Sequence, residues 1–276
     1  MSIDAFFLPL GQGERFCLLH EPAARMHADR AQRGIVFVHA FAEEMNKSRR
    51  VASRQARAFA NAGWTVLQLD LYGCGDSPGD FADAQWAHWV DDVVGASVWL
   101  REKTGSAPAL WGLRTGCLVA SDAAQRNEEP TDLILWQPVP SGAQYLRQFL
   151  RLSTASGIVA QTGASITIEE LREKLGRGQT VEIAGYPLAP GLALGLEASR
   201  LEPVGTAGRV AWLEVRATGG GEVSPASRAC ISRCESAGRP VDARVVTGPA
   251  FWQNLEVTDC PALIEASVAM TAGWLR

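Results

Sequence analysis

One stretch has the residue types and the spacing to present a reactive group: Ala109-Leu110-Trp111-Gly112-Leu113-Arg114-Thr115-Gly116-Cys117-Leu118-Val119-Ala120. It reads as a buried strand, a Gly-x-x-x-Gly turn and a helix built from small residues. That is the layout of a nucleophile elbow, where a Ser stands between two glycines on a strained strand-to-helix turn. The glycines let strand and helix close together around that turn. Here the central residue is Arg114. A guanidinium keeps its proton at any useful pH, so it cannot attack as a serine does. What it can do is pair with a carboxylate or a phosphate.

The other positions of a Ser-His-Asp site are equally altered. The base would follow the last strand, where the chain reads Thr247-Gly248-Pro249-Ala250-Phe251-Trp252-Gln253-Asn254 and holds no His. All four histidines (His20, His27, His39 and His88) precede the elbow. The acid would follow Val215, and Glu222 could stand there, but without its His it has nothing to orient. Cys117 lies in the first turn of a helix, where the dipole lowers a thiol pKa, yet no His base can be placed beside it. It reads as a packing residue. Cys230 and Cys234 share one face of a predicted helix and lack the further ligands a zinc site needs, so no metal and no cofactor are expected.

The loop that supplies an oxyanion donor in such a frame runs from His39 to Arg50, His-Ala-Phe-Ala-Glu-Glu-Met-Asn-Lys-Ser-Arg-Arg. By itself this charge run is a solvated helix start, with acids near the N-terminus and opposite charges four apart. Beside an elbow it gains a second meaning. A cation at a helix N-terminus opposes the macrodipole and needs a carboxylate partner or an anionic ligand. Glu43 and Glu44 are the nearest acids. Two arrangements are therefore open, an internal Arg–Glu clamp and a receptor for a carboxylate or phosphate. The candidate binding residues are Arg114, Thr115, His39, Phe41, Glu43, Glu44 and Trp252; the catalytic residues stay unassigned.

The elements that position these residues follow from pattern. Phe6–Leu8 and Arg15–His20 form two short antiparallel strands around Gly11-Gln12-Gly13. Buried strands are expected at Ile35–Val38, Leu110–Trp111 and Leu133–Trp136, and further strands at Thr65–Leu69, Val210–Val215 and Val241–Val246. Helices are expected over Ser48–Ala62, Trp86–Lys103, Thr115–Gln125, Pro225–Ala237 and Pro261–Leu275. Such alternation calls for an α/β fold with a mostly parallel central sheet and helices on both faces. Between Pro138 and Pro203 the rhythm breaks into helical pieces (Tyr145–Leu152, Ile168–Leu175) and a Gly/Pro/Leu-rich run, Gly185–Gly191. This segment, 138–203, is expected to be a cap inserted into a core made of 1–137 and 204–276. Tyr72–Gly79 is a glycine-shaped loop at the sheet edge, not a phosphate-binding Gly-x-Gly-x-x-Gly. Trp86, Trp89, Phe251 and Trp252 are candidates to wall a pocket.

Composition agrees with a globular chain: 276 residues, 47% hydrophobic, 20% charged, formal net charge −4. That charge gives no support for nucleic acid as a partner. The start of the chain lacks the features of a signal peptide and no run is long enough to span a bilayer, so a cytoplasmic protein is expected.

Together, His39–Arg50, Asp70–Asp80 (Asp-Leu-Tyr-Gly-Cys-Gly-Asp-Ser-Pro-Gly-Asp), Leu110–Gly116 and Gly248–Trp252 resemble the exosortase A system-associated hydrolase 2 family, a branch of the α/β-hydrolase superfamily. The resemblance implies the α/β-hydrolase fold with a helical cap. It also implies a place in loci for exopolysaccharide synthesis and protein sorting, and an elbow Arg that belongs to the branch pattern. The expected function is binding or processing of a small anionic or acyl/sugar-derived molecule. The alternatives are a catalytically silent pseudo-hydrolase that pairs with itself or with an active hydrolase, and an ester or thioester hydrolase with a non-standard site.

Overall fold

Four continuous apolar runs become the middle of the sheet because both of their faces are covered. They are β3 (Gly34–Val38), β5 (Ala109–Leu113), β6 (Leu133–Trp136) and β9 (Val210–Arg216). Alternate side chains enter two separate cores, the period of a strand. Val36, Leu110, Leu135 and Trp212 point to one core, and Phe37, Trp111, Trp136 and Leu213 to the other. This computed structural model describes residues 1–11, 13–23, 32–127, 129–155, 166–202, 208–218 and 220–275; Gln12, His27, Pro203 and Gly219 lie outside the described residues.

The remaining strands of the sheet are β1 (Ser2–Pro9), β2 (Glu14–Glu21), β4 (Thr65–Leu69) and β10 (Val241–Thr247). The order is β1-β2-β4-β3-β5-β6-β9-β10. β2 is antiparallel to both neighbours, and all other pairings in this sheet are parallel. α1 (Glu43–Asn61) and α8 (Pro261–Thr271) cover one face. α2 (Trp86–Thr104), α3 (Gly116–Arg126) and α7 (Pro225–Ser236) cover the other.

Between β6 and β9 the chain forms α4 (Gly142–Ala155), α5 (Ile168–Gly176), a hairpin of β7 (Val181–Ile183) and β8 (Tyr186–Leu188), and α6 (Pro190–Ala198). One polar node fastens this segment to the core. Asp122 on α3 accepts from Trp86 Nε1 at 2.8 Å and from Ser199 Oγ at 3.0 Å, just past α6.

Three local expectations change. α1 starts at Glu43 instead of Ser48, because two acids in the first turn complement the helix dipole and Met45, Ser48, Val51 and Ala52 share its buried face. The Gly/Pro/Leu-rich run ends in a helix, α6, with Pro190 at its first turn, where a missing N–H costs nothing. The final helix tightens into a 3₁₀ turn over Ala272–Leu275.

Candidate functional site

The elbow is formed as its glycines require. Gly112 lies against the backbone of Cys117, and Gly116 lies under the ends of β3, where a Cβ would stand 2.3 Å from the Val38 carbonyl oxygen. Between them Arg114 is left-handed, φ 56°. A non-glycine residue in this region costs about 1–3 kcal/mol and persists only where its surroundings fix it. Arg114 N–H donates to Trp136 O at 2.9 Å and Arg114 O accepts from Cys117 N–H at 3.1 Å, so the turn is held on both sides. Ala42, just before α1, and Ala184, between β7 and β8, also have positive φ, 50° and 49°. Ala42 adjoins the two cavity-lining acids and Ala184 lines the same cavity as Arg114. Gln137, after β6, has φ 43° as well and is not among the walls, and Ala184-Gly185 is the two-residue turn of the β7–β8 hairpin, so the strain that bears on the site is that of the elbow.

That cavity holds about 550 Å³, the size of a small-molecule pocket. Its walls come from five places: Arg114 from the elbow; Phe41, Glu43, Glu44 and Lys47 from the start of α1 and the residues before it; Tyr145, Gln148, Phe149 and Leu152 from α4; Ala184 and Tyr186 from the hairpin; and Trp252 and Gln253 from the loop after β10. The sequence-predicted Arg114, Phe41, Glu43, Glu44 and Trp252 therefore meet. Thr115 is packed at the start of α3 and does not line the cavity.

His39 is not brought to it, a correction to its place among the binding candidates. The ring is buried and lines a separate cavity of about 260 Å³ with Arg49 and Asp70. Nδ1–H donates to Ala40 O at 2.7 Å and Nε2 accepts from Leu71 N–H at 3.2 Å. Both ring nitrogens are used, and burial holds the imidazole pKa down against the nearby Asp70. His39 thus ties the loop after β3 to the end of β4 as a neutral ring.

Arg114 meets Glu44. Nε–H lies 3.4 and 3.3 Å from Glu44 Oε1 and Oε2, and an Nη2–H donates to Oε1 at 3.2 Å. These are long for a charge-assisted pair, which is commonly 2.7–2.9 Å. The two side chains are 13% and 15% exposed. The guanidinium carbon stands 5.7 Å from the Tyr145 ring and 5.5 Å from the Trp252 ring, which offer it their negative faces. Among the described residues Nη1 has no hydrogen-bond acceptor. Burial pushes the Glu44 carboxyl pKa up, while the Arg114 guanidinium and, less strongly, the nearby Tyr145 hydroxyl pull it down. Tyr145 is itself raised well above its ordinary value, first by burial and then by Glu44. At the rim Tyr186 O–H donates to Glu43 Oε2 at 2.9 Å and Asn46 Nδ2–H donates to the same carboxylate oxygen at 3.1 Å. Lys47 Nζ–H donates to Gln253 O at 3.2 Å.

The positions that would serve a triad hold other groups. After β10 the chain delivers Phe251 and Trp252, both buried. Glu222 has a side chain 87% exposed and faces Arg228 at 3.6 Å. The buried acid near there is Glu214, whose oxygens accept from Ser224 N–H and Oγ–H at the start of α7. Burial drives the Cys117 thiol pKa far up, so it is no thiolate. Among the described residues no cluster of His, Cys, Asp and Glu has the makings of a metal site.

Tyr145, Gln148, Phe149 and Tyr186 were not singled out from the sequence. A signal existed for two of them: Tyr145 and Phe149 stand four apart on a predicted amphipathic helix of the cap, and so share a face.

Solved structures similar to this one are α/β-hydrolases. Est1E from Butyrivibrio proteoclasticus with ferulic acid bound is 14% identical, with TM-score 0.66 and 98% of each chain covered. XC6422 from Xanthomonas campestris, an α/β serine hydrolase without a lid, is 16% identical, with TM-score 0.56, covering 99% of this chain and 95% of that one. A thermostable carboxyl esterase from Bacillus coagulans in complex with glycerol is 14% identical, with TM-score 0.66 and both chains covered fully. At such identities the likeness establishes the α/β-hydrolase fold alone. No curated protein matches the sequence. Residues 29–177 match the Hydrolase_4 pattern from β3 through the elbow to the end of α5, and the chain belongs to that family, the serine aminopeptidase S33 family.

Proposed function

We propose that this chain is an α/β-hydrolase-fold protein without a Ser-His-Asp triad, whose Arg114 receives a small organic anion in the cavity between the core and a cap over 138–203. One observation carries the reading. A left-handed elbow residue turns a half-paired guanidinium toward an aromatic cavity of about 550 Å³. Aromatic walls with a few convergent polar groups suit a molecule with an apolar body and a charged head. Est1E, with its bound ferulic acid, is a relative whose ligand has that chemistry. Within the family we place the chain in the exosortase-associated branch, in the cytoplasm, with an acyl or sugar-derived acid of exopolysaccharide synthesis as the ligand class.

Two outcomes follow. In a thermal-shift screen of carboxylates, phosphates and acyl thioesters, some anion stabilises wild type and fails to stabilise Arg114→Ala. If no anion does so, the reading falls. Fluorophosphonate treatment followed by mass spectrometry finds no stoichiometrically labelled Ser, and Arg114→Ser alone recovers no esterase activity, because no His stands after β10. A single fully labelled Ser in wild type overturns the assignment and restores the non-standard hydrolase alternative.

A second reading is favoured by Glu44, which already supplies the carboxylate that Arg114 needs. There the site is closed and the protein acts by pairing with a copy of itself or with an active hydrolase. Leu255 (97% exposed) and Val257 (69% exposed), in the loop beyond Trp252, would lie at such a contact. This reading expects no Arg114-dependent anion at all.

A further inference from the structure

The charges facing Glu44 are few and can be counted. On α1 its neighbours are Glu43 and Lys47, the elbow brings Arg114, and α4 brings the Tyr145 hydroxyl. From the hairpin Tyr186 reaches Glu43, not Glu44, and the loop after β10 contributes only the uncharged Trp252 and Gln253. Among the described residues, two acids and two bases leave the site neutral. Lys47 is drawn to Gln253 O, so the free edge of Arg114 is the place for an incoming anion. An anion on Nη1 shares one guanidinium with the Glu44 carboxylate, a few ångströms away in a nearly buried setting. Two like charges so placed are not both kept; one takes up a proton.

Resting on the reading that Arg114 receives an anion, we propose that the ligand is a monocarboxylate with an apolar body, taken up together with one proton that comes from solvent and lodges on Glu44. The Glu44–Arg114 contacts, 3.2 to 3.4 Å, are long enough for the carboxyl to turn neutral without a strong pair being lost. A dianion would leave the site one charge in excess even after protonation, and is rejected. Phe41, Phe149 and Trp252 provide the wall for the body. Burial already raises the Glu44 carboxyl in the empty site, and the anion raises it further. The sign follows. Between the empty-site and the liganded pKa, binding takes up a proton, so affinity falls as pH rises through that window and levels off above it.

The probe is benzoate, with phenyl phosphate carrying the same body under two charges. Isothermal titration is run on wild type, Arg114→Ala and Glu44→Gln, from about pH 5.5 to 8, in buffers of different ionisation enthalpy. Wild type is expected to take up close to one proton and to lose affinity by up to about tenfold per pH unit. Phenyl phosphate binds at least about tenfold more weakly near neutral pH, by the same arithmetic of charge and pKa. Glu44→Gln binds benzoate with no proton uptake and no such slope. Arg114-dependent benzoate binding without proton uptake, or phenyl phosphate binding the tighter, overturns this inference and leaves Arg114 as an anion receptor. Benzoate that fails to bind, or binds Arg114→Ala equally well, overturns the inference; the wider anion screen then decides whether Arg114 receives any anion.

Discussion

Gly116→Ala is expected to be the most damaging single substitution at the elbow. A Cβ there would stand 2.3 Å from Val38 O and 2.5 Å from His39 O, both backbone atoms at the end of a central strand. Neither can move without opening β3 from β5, which pair through Val38 and Gly112. Overpacking that has to shift backbone costs about 1–3 kcal/mol, with this site at the upper end. For a chain of this size the melting temperature should fall by several degrees, up to roughly 12 °C. Gly176 at the end of α5 is the control, since nothing lies within 4 Å of a Cβ built there. Gly176→Ala should leave the melting temperature unchanged or slightly raised. A Gly116→Ala protein melting with wild type would show that the turn is looser than its contacts indicate.

The second large effect concerns the ion pair, and it is asymmetric. Glu44→Ala strands a guanidinium that is 13% exposed, sits at the N-terminus of α3 and cannot shed its proton. Breaking a buried pair in this direction costs about 3 kcal/mol. Arg114→Ala strands a carboxyl that burial already biases toward the protonated form. Its cost should be nearer 1 kcal/mol, the size of one lost hydrogen bond. Chemical denaturation of both single variants and the double variant gives the comparison. Equal losses, or a larger loss for Arg114→Ala, would contradict the electrostatic account of the site. In Glu44→Ala a bound carboxylate replaces the missing acid, so benzoate should recover part of the lost stability.

The sheet was legible because its signals are local. Ile-Val-Phe-Val and Leu-Ile-Leu-Trp are covered on both faces, and continuous apolar runs report that directly. The elbow was legible because two glycines at a fixed spacing leave few alternatives for a strand-to-helix turn. The proximity of Glu44 to Arg114 followed from the order of elements once the sheet was assumed. The cavity was less legible. Tyr145, Phe149 and Tyr186 lie in elements separated from the elbow by tens of residues, and only the folding-back of α4 and the β7–β8 hairpin brings them to the cavity with Arg114. His39 shows the opposite failure. Its position in the chain is that of a site residue, yet its ring turns to the other side of the loop to satisfy Ala40 O and Leu71 N–H. Position along a loop does not determine the side to which a ring turns. α1 begins at Glu43, where the acids of the His39–Arg50 run complement the helix dipole, and not at the Ser48 boundary read from the sequence.

The central claim is that an elbow built for a nucleophile here holds a receptor for an anion. A crystal structure of the protein with benzoate tests it most directly. The account predicts the carboxylate on Nη1 of Arg114, with the ring against Trp252 and Phe149, and Glu44 still beside the guanidinium. Benzoate bound elsewhere, or an empty cavity with Arg114 paired to Glu44 alone at saturating benzoate, would contradict it.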